Sequence, residues 1–266
     1  MSLVRIAYWF LSQQLGLDLR RLLRAPVGVF KYLRDLTKFS RTNRYKLRFQ
    51  PCLHDWWEQA GAVGTEYFWQ DLLVARMVHD ASPRRHIDVG SRLDGFVAHV
   101  ASFRQIEVFD VRPLDTQIPG VKFQQADMMK GDGLQAGIAD SVSCLHAIEH
   151  FGLGRYGDPI QQDGTSLGIA NLAKILEPGG TLYLSCPVGA DEVFFNAHRA
   201  LQPKTILAIA EGTGLSLSRC MLFNNGIKSF EEAPAPVSSY TAQQQHSLAI
   251  YVFVKAAGPG ASSGAS

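Results

Sequence analysis

The chain has 266 residues, 46% of them hydrophobic, a formal net charge of +2 and four cysteines. That length and apolar content suit one sizeable α/β core with an appendage, and a charge near zero excludes wholesale nucleic-acid binding. Cys52, Cys144, Cys186 and Cys220 are far apart and form no C-x-x-C pair, so a reduced, cytoplasmic protein is expected, with no disulfide framework and no metal site.

The charge is unevenly spread, because residues 1–50 carry eleven Lys and Arg against two acids. The opening MSLVRIAYWFL looks like a signal peptide, but Gln13-Gln14 closes the run and no small-residue cleavage site follows. No apolar run reaches the length of a spanning helix. Leu15, Leu17, Leu19, Leu22 and Leu23, then Val29, Phe30, Leu33 and Leu36, alternate with arginines and lysines on either side of Pro26. The spacing predicts a basic amphipathic helix pair. It suits contact with an anionic membrane, or a lid or dimer face packed on the domain. The organisation expected is therefore a basic helical extension over 1–50, a domain over 51–256, and a disordered tail over 257–266, where the sequence is small and polar.

An aromatic-rich loop follows, then a helix from about Thr65 to His79 with Tyr67, Phe68, Leu72, Ala75 and Val78 at helical spacing. Trp56, Trp57, Tyr67 and Trp69 are too many large rings for a surface loop, and are expected to pack between this helix and a sheet. Strands are predicted at His86–Val89, Ile106–Phe109, Val121–Gln124, Ser141–Leu145, Thr181–Cys186, Leu215–Leu222 and Ser247–Val254. Helices are predicted at Gly95–Ala101, Gly168–Leu176 and Pro203–Glu211. Such alternation implies a mostly parallel sheet covered on both faces. The last two strands, joined by the Asn224–Ala242 loop, should form an antiparallel pair at the sheet edge.

The first strand ends in Asp88, Val89 and Gly90, and Phe96, Val97 and Val100 then follow at helical spacing. Gly90 sits where a backbone can approach a ligand without a Cβ in the way, and the helix near Asp94 aims its unpaired N–H groups at the same point. This predicts a nucleotide-type cofactor at the carboxyl end of the first strand, or else a plain strand-to-helix turn. Neither G-x-G-x-x-G nor a phosphate loop is present, since Arg92 and Leu93 stand between Gly90 and Gly95. Asp110 ends the second strand 22 residues after Asp88, where an acid can accept both hydroxyls of a ribose. Asp127 follows the third strand and can accept from an adenine amino group. His146-Ala-Ile-Glu149-His150 closes the fourth, where a substrate would meet the cofactor.

Taken in order, the DVG segment, the acid at the second strand, Ala126-Asp127, Asp140 to Phe151, and LEPGGTLYLSCPVG resemble the class I S-adenosylmethionine-dependent methyltransferases over roughly residues 84–256. More narrowly, LHAIEHFGLGRYGDP and FNAHRALQP resemble a little-characterised bacterial branch associated with surface-polysaccharide gene clusters. The resemblance implies a Rossmann-like, seven-stranded, mostly parallel sheet with an antiparallel last strand, and S-adenosyl-L-methionine as cofactor. It sets Asp88, Gly90 and Ser91 at the methionine end, Asp110 at the ribose, Asp127 at the adenine and His146 on the sulfonium side. Arg92 and Leu93 depart from it, standing where the family has closely spaced glycines.

Methyl transfer from a sulfonium asks for in-line placement and exclusion of water, and for a base when the acceptor is a hydroxyl. His150, just past the strand end, is the first candidate, followed by His146, Glu149 and His198. Each also has a structural role open to it, as strand-end packing, a cap or a bonded loop histidine. Arg155 and Tyr156 in the glycine-flanked loop, with Asn196, His198 and Arg199, are expected to bind a small-molecule or glycan acceptor. In the structural alternative Arg155 pairs with Asp158. The reading is a cytoplasmic O-methyltransferase of a sugar or glycan precursor, at the inner face of the cell membrane if residues 1–50 bind there. Its alternatives are a catalytically inactive scaffold in a glycan-assembly complex and a nicotinamide-dependent oxidoreductase.

Overall fold

A computed structural model describes residues 7–257 apart from 62, 132 and 244. The tail predicted to be disordered lies, beyond residue 257, outside the described residues. The chain divides into two compact units, residues 1–62 and 63–266.

In the first unit a short π-helical turn, Phe10–Gln14, precedes a single α-helix, α1, Leu19–Ser40. The predicted break at Pro26 does not occur. Asp18 caps the helix by accepting from the backbone N–H groups of Arg20 and Arg21, and the helix continues through Pro26 although an interior proline loses its own bond and crowds the carbonyl four residues back. Gly28 is buried on one face of α1, where a Cβ would lie 2.4 Å from the Leu53 carbonyl oxygen. Trp56 and Trp57 belong to this unit as well. They pack on each other, with Lys31 and Arg24 over their rings, and are not buried as core packing would require. Their rings have cationic neighbours and stay half exposed.

The second unit opens with α2, Glu66–Ala81, which stops at Ser82 in the left-handed region. Five strands follow: β1, His86–Val89; β2, Ile106–Asp110; β3, Val121–Gln125; β4, Ala139–Leu145; and β5, Leu176–Pro187, with no helix among the described residues between β2 and β3 or between β3 and β4, so the expected alternation is incomplete there. Between β1 and β2 a π-turn, Leu93–Val97, runs into a short helix, α3, Ala98–Ala101, and α4, Gly164–Ile175, leads into β5. A ribbon that the sequence did not suggest follows, made of β6, Glu192–Phe194, and β7, His198–Ala200. Then come α5, Pro203–Glu211, β8, Leu215–Asn224, β9, Ser229–Glu232, and β10, His246–Lys255.

The main sheet has the order β3-β2-β1-β4-β5-β10-β8-β9. Strands β1 to β5 pair in parallel, and β10 runs antiparallel to both neighbours. The mostly parallel sheet with its last strand reversed is as expected, with an eighth strand added. Two details differ. The loop after β8 contributes β9, and β10 enters between β5 and β8, not at the edge. Burial explains both: Leu248, Ala249, Ile250, Tyr251 and Phe253 of β10 are all buried, as a central strand requires. The sequence Ser-Phe-Glu-Glu of β9 suits an exposed edge. Helices cover both faces, with Ile169 and Leu172 of α4 and Ile206 of α5 in one core, and Val74 and Val78 of α2 with Phe96 and Val100 in the other.

A buried polar network ties β1 to β4 beneath the glycine turn. The Asp88 carboxylate is fully buried; it accepts from the Ser91 N–H (3.0 Å) and from the hydroxyls of Ser91 and Ser143, both at 2.5 Å. Ser91 in turn accepts from the Leu145 N–H at 3.1 Å, and His86 bonds Ser141 and Ser143 of β4. Burial pushes the Asp88 carboxyl up to about 7, against the pull of its serine donors, and pushes His86 down to about 3.

The two groups have opposite linkage. From an ordinary 3.8 up to about 7 the folded state keeps an Asp88 proton that the unfolded chain gives up, so this term loses stability as pH rises through that window and is level above it. His86, depressed from 6.5 to about 3, adds stability as pH rises between those values. Asp88→Asn isolates the first term. In urea titrations the wild-type advantage over the variant should shrink by a few kcal/mol between about pH 4 and 7 and then stay constant. A constant difference over the whole range would mean that Asp88 is ionised throughout.

Candidate active site

The carboxyl ends of β1 to β4 form a first cleft of about 60 Å³. Gly90 turns the chain there with φ +71° and donates its N–H to Phe109. A Cβ at Gly90 would stand 3.0 Å from that of Ala147, so the turn needs glycine for its backbone and for the closeness of the opposite wall. Asp88 and Ser91, expected beside Gly90 at the ligand, lie beneath the turn and do not line the cleft. Each spends its polar atoms on holding β1 to β4. Arg92 is not in this cleft either: it pairs with Asp94 at 2.8 Å and lies over the Tyr67 ring.

Asp110 and Asp127 do line it. Both oxygens of Asp110 accept from the Arg112 guanidinium, at 2.9 and 2.6 Å, and one also accepts from the Arg112 N–H. Arg112 lies 4.6 Å from the centre of the Tyr156 ring, so an arginine and a tyrosine close the cleft over Asp110. The volume left is far below the 300 Å³ or so that ligand pockets usually offer. Tyr156 is set by Asp158, which accepts from the N–H groups of Gly152, Gly154 and Tyr156. Asp158 therefore organises its own loop, while Arg155 donates to the Ala197 carbonyl at 3.0 Å. Asp127 accepts from the Met129 N–H through Oδ1. Its Oδ2 is buried without a hydrogen-bond partner, the Lys130 ammonium being 3.6 Å away.

A second cleft, of about 440 Å³, lies beside the first. Glu66 and Tyr67 from the start of α2, Arg155, Glu192, Phe194 and His198 line it, and His146 and His150 line both clefts. His146 has a left-handed backbone at φ +52°, a conformation that costs a non-glycine residue energy and recurs at functional sites. What holds it is Ser185, whose carbonyl and hydroxyl oxygens both accept from the His146 N–H at 3.1 Å, while the Ser185 hydroxyl donates to Gln70. Tyr67 stacks on the imidazole with centroids 4.3 Å apart.

The imidazole Nδ1 lies 2.7 Å from Glu149 Oε1. Burial works against ionisation of Glu149, but the charge and hydrogen bond of His146 outweigh it and hold the carboxyl below its usual range. An ionised carboxylate can only accept, so Nδ1 carries the proton. The two atoms left over, His146 Nε2 and Glu149 Oε2, are buried without partners, Nε2 being 4.0 Å from Glu66. His150 is differently committed. Its Nδ1 donates to the Ala197 carbonyl at 2.5 Å, and Nε2 lies 3.8 Å from Glu149. Burial holds its pKa down, against the pull of Glu149.

His198 stacks on Phe194 in the second cleft, also with its pKa lowered by burial. Two residues expected to bind an acceptor do not reach either cleft. Asn196 takes a left-handed turn with its amide on the Leu153 carbonyl. Arg199 is buried and donates to the carbonyls of Phe151, Gln161 and Gln162, so it clamps the loop after β4. Arg112, Gln70 and Ser185 carry no motif or spacing by which sequence reasoning could have found them. Among the described residues, no group of three or more His, Cys, Asp or Glu side chains is placed to hold a metal ion.

A family model described as a Caenorhabditis protein of unknown function, DUF268, matches residues 122–212. No curated protein matches the chain. Solved structures are similar in fold. The [4+2]-cyclase SpnF has 15% identity over 71% of this chain and 82% of its own, with a TM-score of 0.50. The Burkholderia thailandensis 1,6-didemethyltoxoflavin-N1-methyltransferase, solved with 1,6-didemethyltoxoflavin and S-adenosylhomocysteine, has 10% identity over 87% and 88%, with a TM-score of 0.50. The CurJ carbon methyltransferase has 12% identity over 70% and 54%, again with a TM-score of 0.50. At such identities the likeness concerns architecture alone, and the cyclase among them means that the architecture does not by itself specify the reaction. The chain has the fold on which class I S-adenosylmethionine-dependent methyltransferases are built.

Proposed function

We propose that this protein is an S-adenosylmethionine-dependent methyltransferase that O-methylates a polar acceptor, in the first place a sugar or glycan precursor. The observation that carries the reading is the pair of adjoining clefts with His146 and His150 as their common wall. The lining of one cleft suits an adenosyl ligand once Arg112 and Tyr156 open it: Gly90 keeps the turn free of a side chain, and Asp127 Oδ2 lacks the donor that an adenine amino group brings. Asp110 would accept the ribose hydroxyls once Arg112 releases it. When bound, S-adenosylmethionine supplies an activated methyl group.

The chain's own task is then to orient a hydroxyl, exclude water and take its proton. His146 suits that task better than His150. Glu149 holds Nδ1–H, so in the neutral ring Nε2 is the atom that would accept, and Ser185 and Tyr67 fix its position. His150 turns Nδ1 to the neutral Ala197 carbonyl, whereas His146 has a carboxylate to steady the protonated ring. The carboxylates of Glu66 and Glu192, beside the rings of Tyr67 and Phe194, suit an acceptor rich in hydroxyls.

The ion pair of Arg112 with Asp110 favours a second reading, an inactive scaffold whose cofactor cleft stays shut. Calorimetry separates the two. Binding of S-adenosylmethionine and its demethylated product supports the first reading; no heat with either supports the scaffold, and heat with NAD alone would turn the assignment to an oxidoreductase.

Asp127→Ala should weaken binding of the demethylated product about tenfold, the worth of one hydrogen bond. Arg112→Ala should strengthen it several-fold, because removing the half-exposed Arg112 from a pair worth about 1 kcal/mol frees the largely buried Asp110; weaker binding would show instead that Arg112 holds the ligand. His146→Asn keeps a residue that tolerates the left-handed backbone. Assayed for transfer of labelled methyl to a panel of nucleotide sugars, it should lose about 100-fold or more in kcat, and wild-type turnover in this variant would remove His146 as base.

A further inference from the structure

The helix α1 has three faces with different surroundings. One carries Gly28, Tyr32 and Leu36 and faces the unit's own 47–57 segment across a shallow groove. A second carries Leu19, Leu22, Leu23, Phe30 and Leu33, at spacings that a helix brings to one side, and it is open to solvent: Leu22 is 69% exposed, Leu23 79% and Phe30 70%. The third runs along one edge of that stripe and carries Arg20, Arg24, Arg34 and Lys38, all exposed. Contiguous apolar surface on this scale marks an interaction site.

We propose that this stripe seats the protein on an anionic lipid surface, with α1 lying in the plane of the headgroups. Leu22, Leu23, Phe30 and Leu33 would enter the acyl boundary, and the basic edge would meet the lipid phosphates. Charge decides the occupant. From Leu19 to Ser40 the helix carries six basic residues and one acid, so a second copy would set like charge against like charge, whereas anionic lipid neutralises it. Trp9 and Phe10, both about half exposed just ahead of the helix, have the ring character that settles at headgroup level. Among the described residues no helix is long and apolar enough to cross a membrane, so the contact is one of lying on the surface.

The test is sedimentation of the full chain with vesicles of phosphatidylserine and phosphatidylcholine, and with phosphatidylcholine alone. The expected result is at least tenfold tighter binding to the anionic vesicles, lost at about 0.5 M salt, where charges are screened within a few ångströms. Leu23→Ser with Phe30→Ser, and separately Arg34→Glu with Lys38→Glu, should each lower binding about tenfold or more, with thermal unfolding unchanged because all four side chains are exposed. No binding to anionic vesicles would overturn the proposal, as would variants that bind like the parent. A dimer that the serine pair dissolves would also overturn it, and would give the face to a second copy.

Discussion

A carboxyl sealed from water between β1 and β4 is the constraint on which the site depends. Burying an acid is costly unless its hydrogen bonds are met or it takes up a proton. Asp88 draws on both: three donors from Ser91 and Ser143 surround it, and burial raises its pKa to about 7. Through Ser91 the same network reaches the N–H of Leu145, one residue before His146. The glycine turn after β1 and the histidine after β4 are thus fixed to one another from below, and those two points are the opposite walls of the first cleft.

Much of the fold could be read from the sequence. The run His86–Val89 ended by Gly90, and the proline opening Pro203–Glu211, mark elements whose ends fall where predicted, because the signals are local. The rest depends on partners remote in the chain. β9 and the ribbon of β6 and β7 are short and partly exposed, so no periodicity announces them. Central placement of β10 follows from burial on both faces, a property of its neighbours as much as of its own residues. Pro26 looked like a boundary and is not one; the helix of 22 residues continues through it despite the lost bond and the crowded carbonyl.

The three acids at successive strand ends show how far sequence reasoning reaches into the site. Their positions in the chain are equivalent, yet one turns inward to serines, one is held by an arginine two residues on, and one keeps an oxygen free. Which occurs is set by Ser143, Arg112 and the local shape of the wall, and only Ser91 and Arg112 are near in sequence. Arg199 makes the same point from the other side. An arginine near histidines looks like a binding residue, but its guanidinium is buried under carbonyls of a loop that precedes it by nearly forty residues.

Because His146 and His150 belong to both clefts, the proposed binding of cofactor and of acceptor would be coupled wherever one of them moves a shared ring. An occupant that shifts either ring on one side reshapes the space offered on the other, so filling the first site changes the dissociation constant of the second. Thermodynamics requires that the factor be the same in both directions. On the proposed reading, the shared wall alone would link the loading of the two sites without any separate regulatory element.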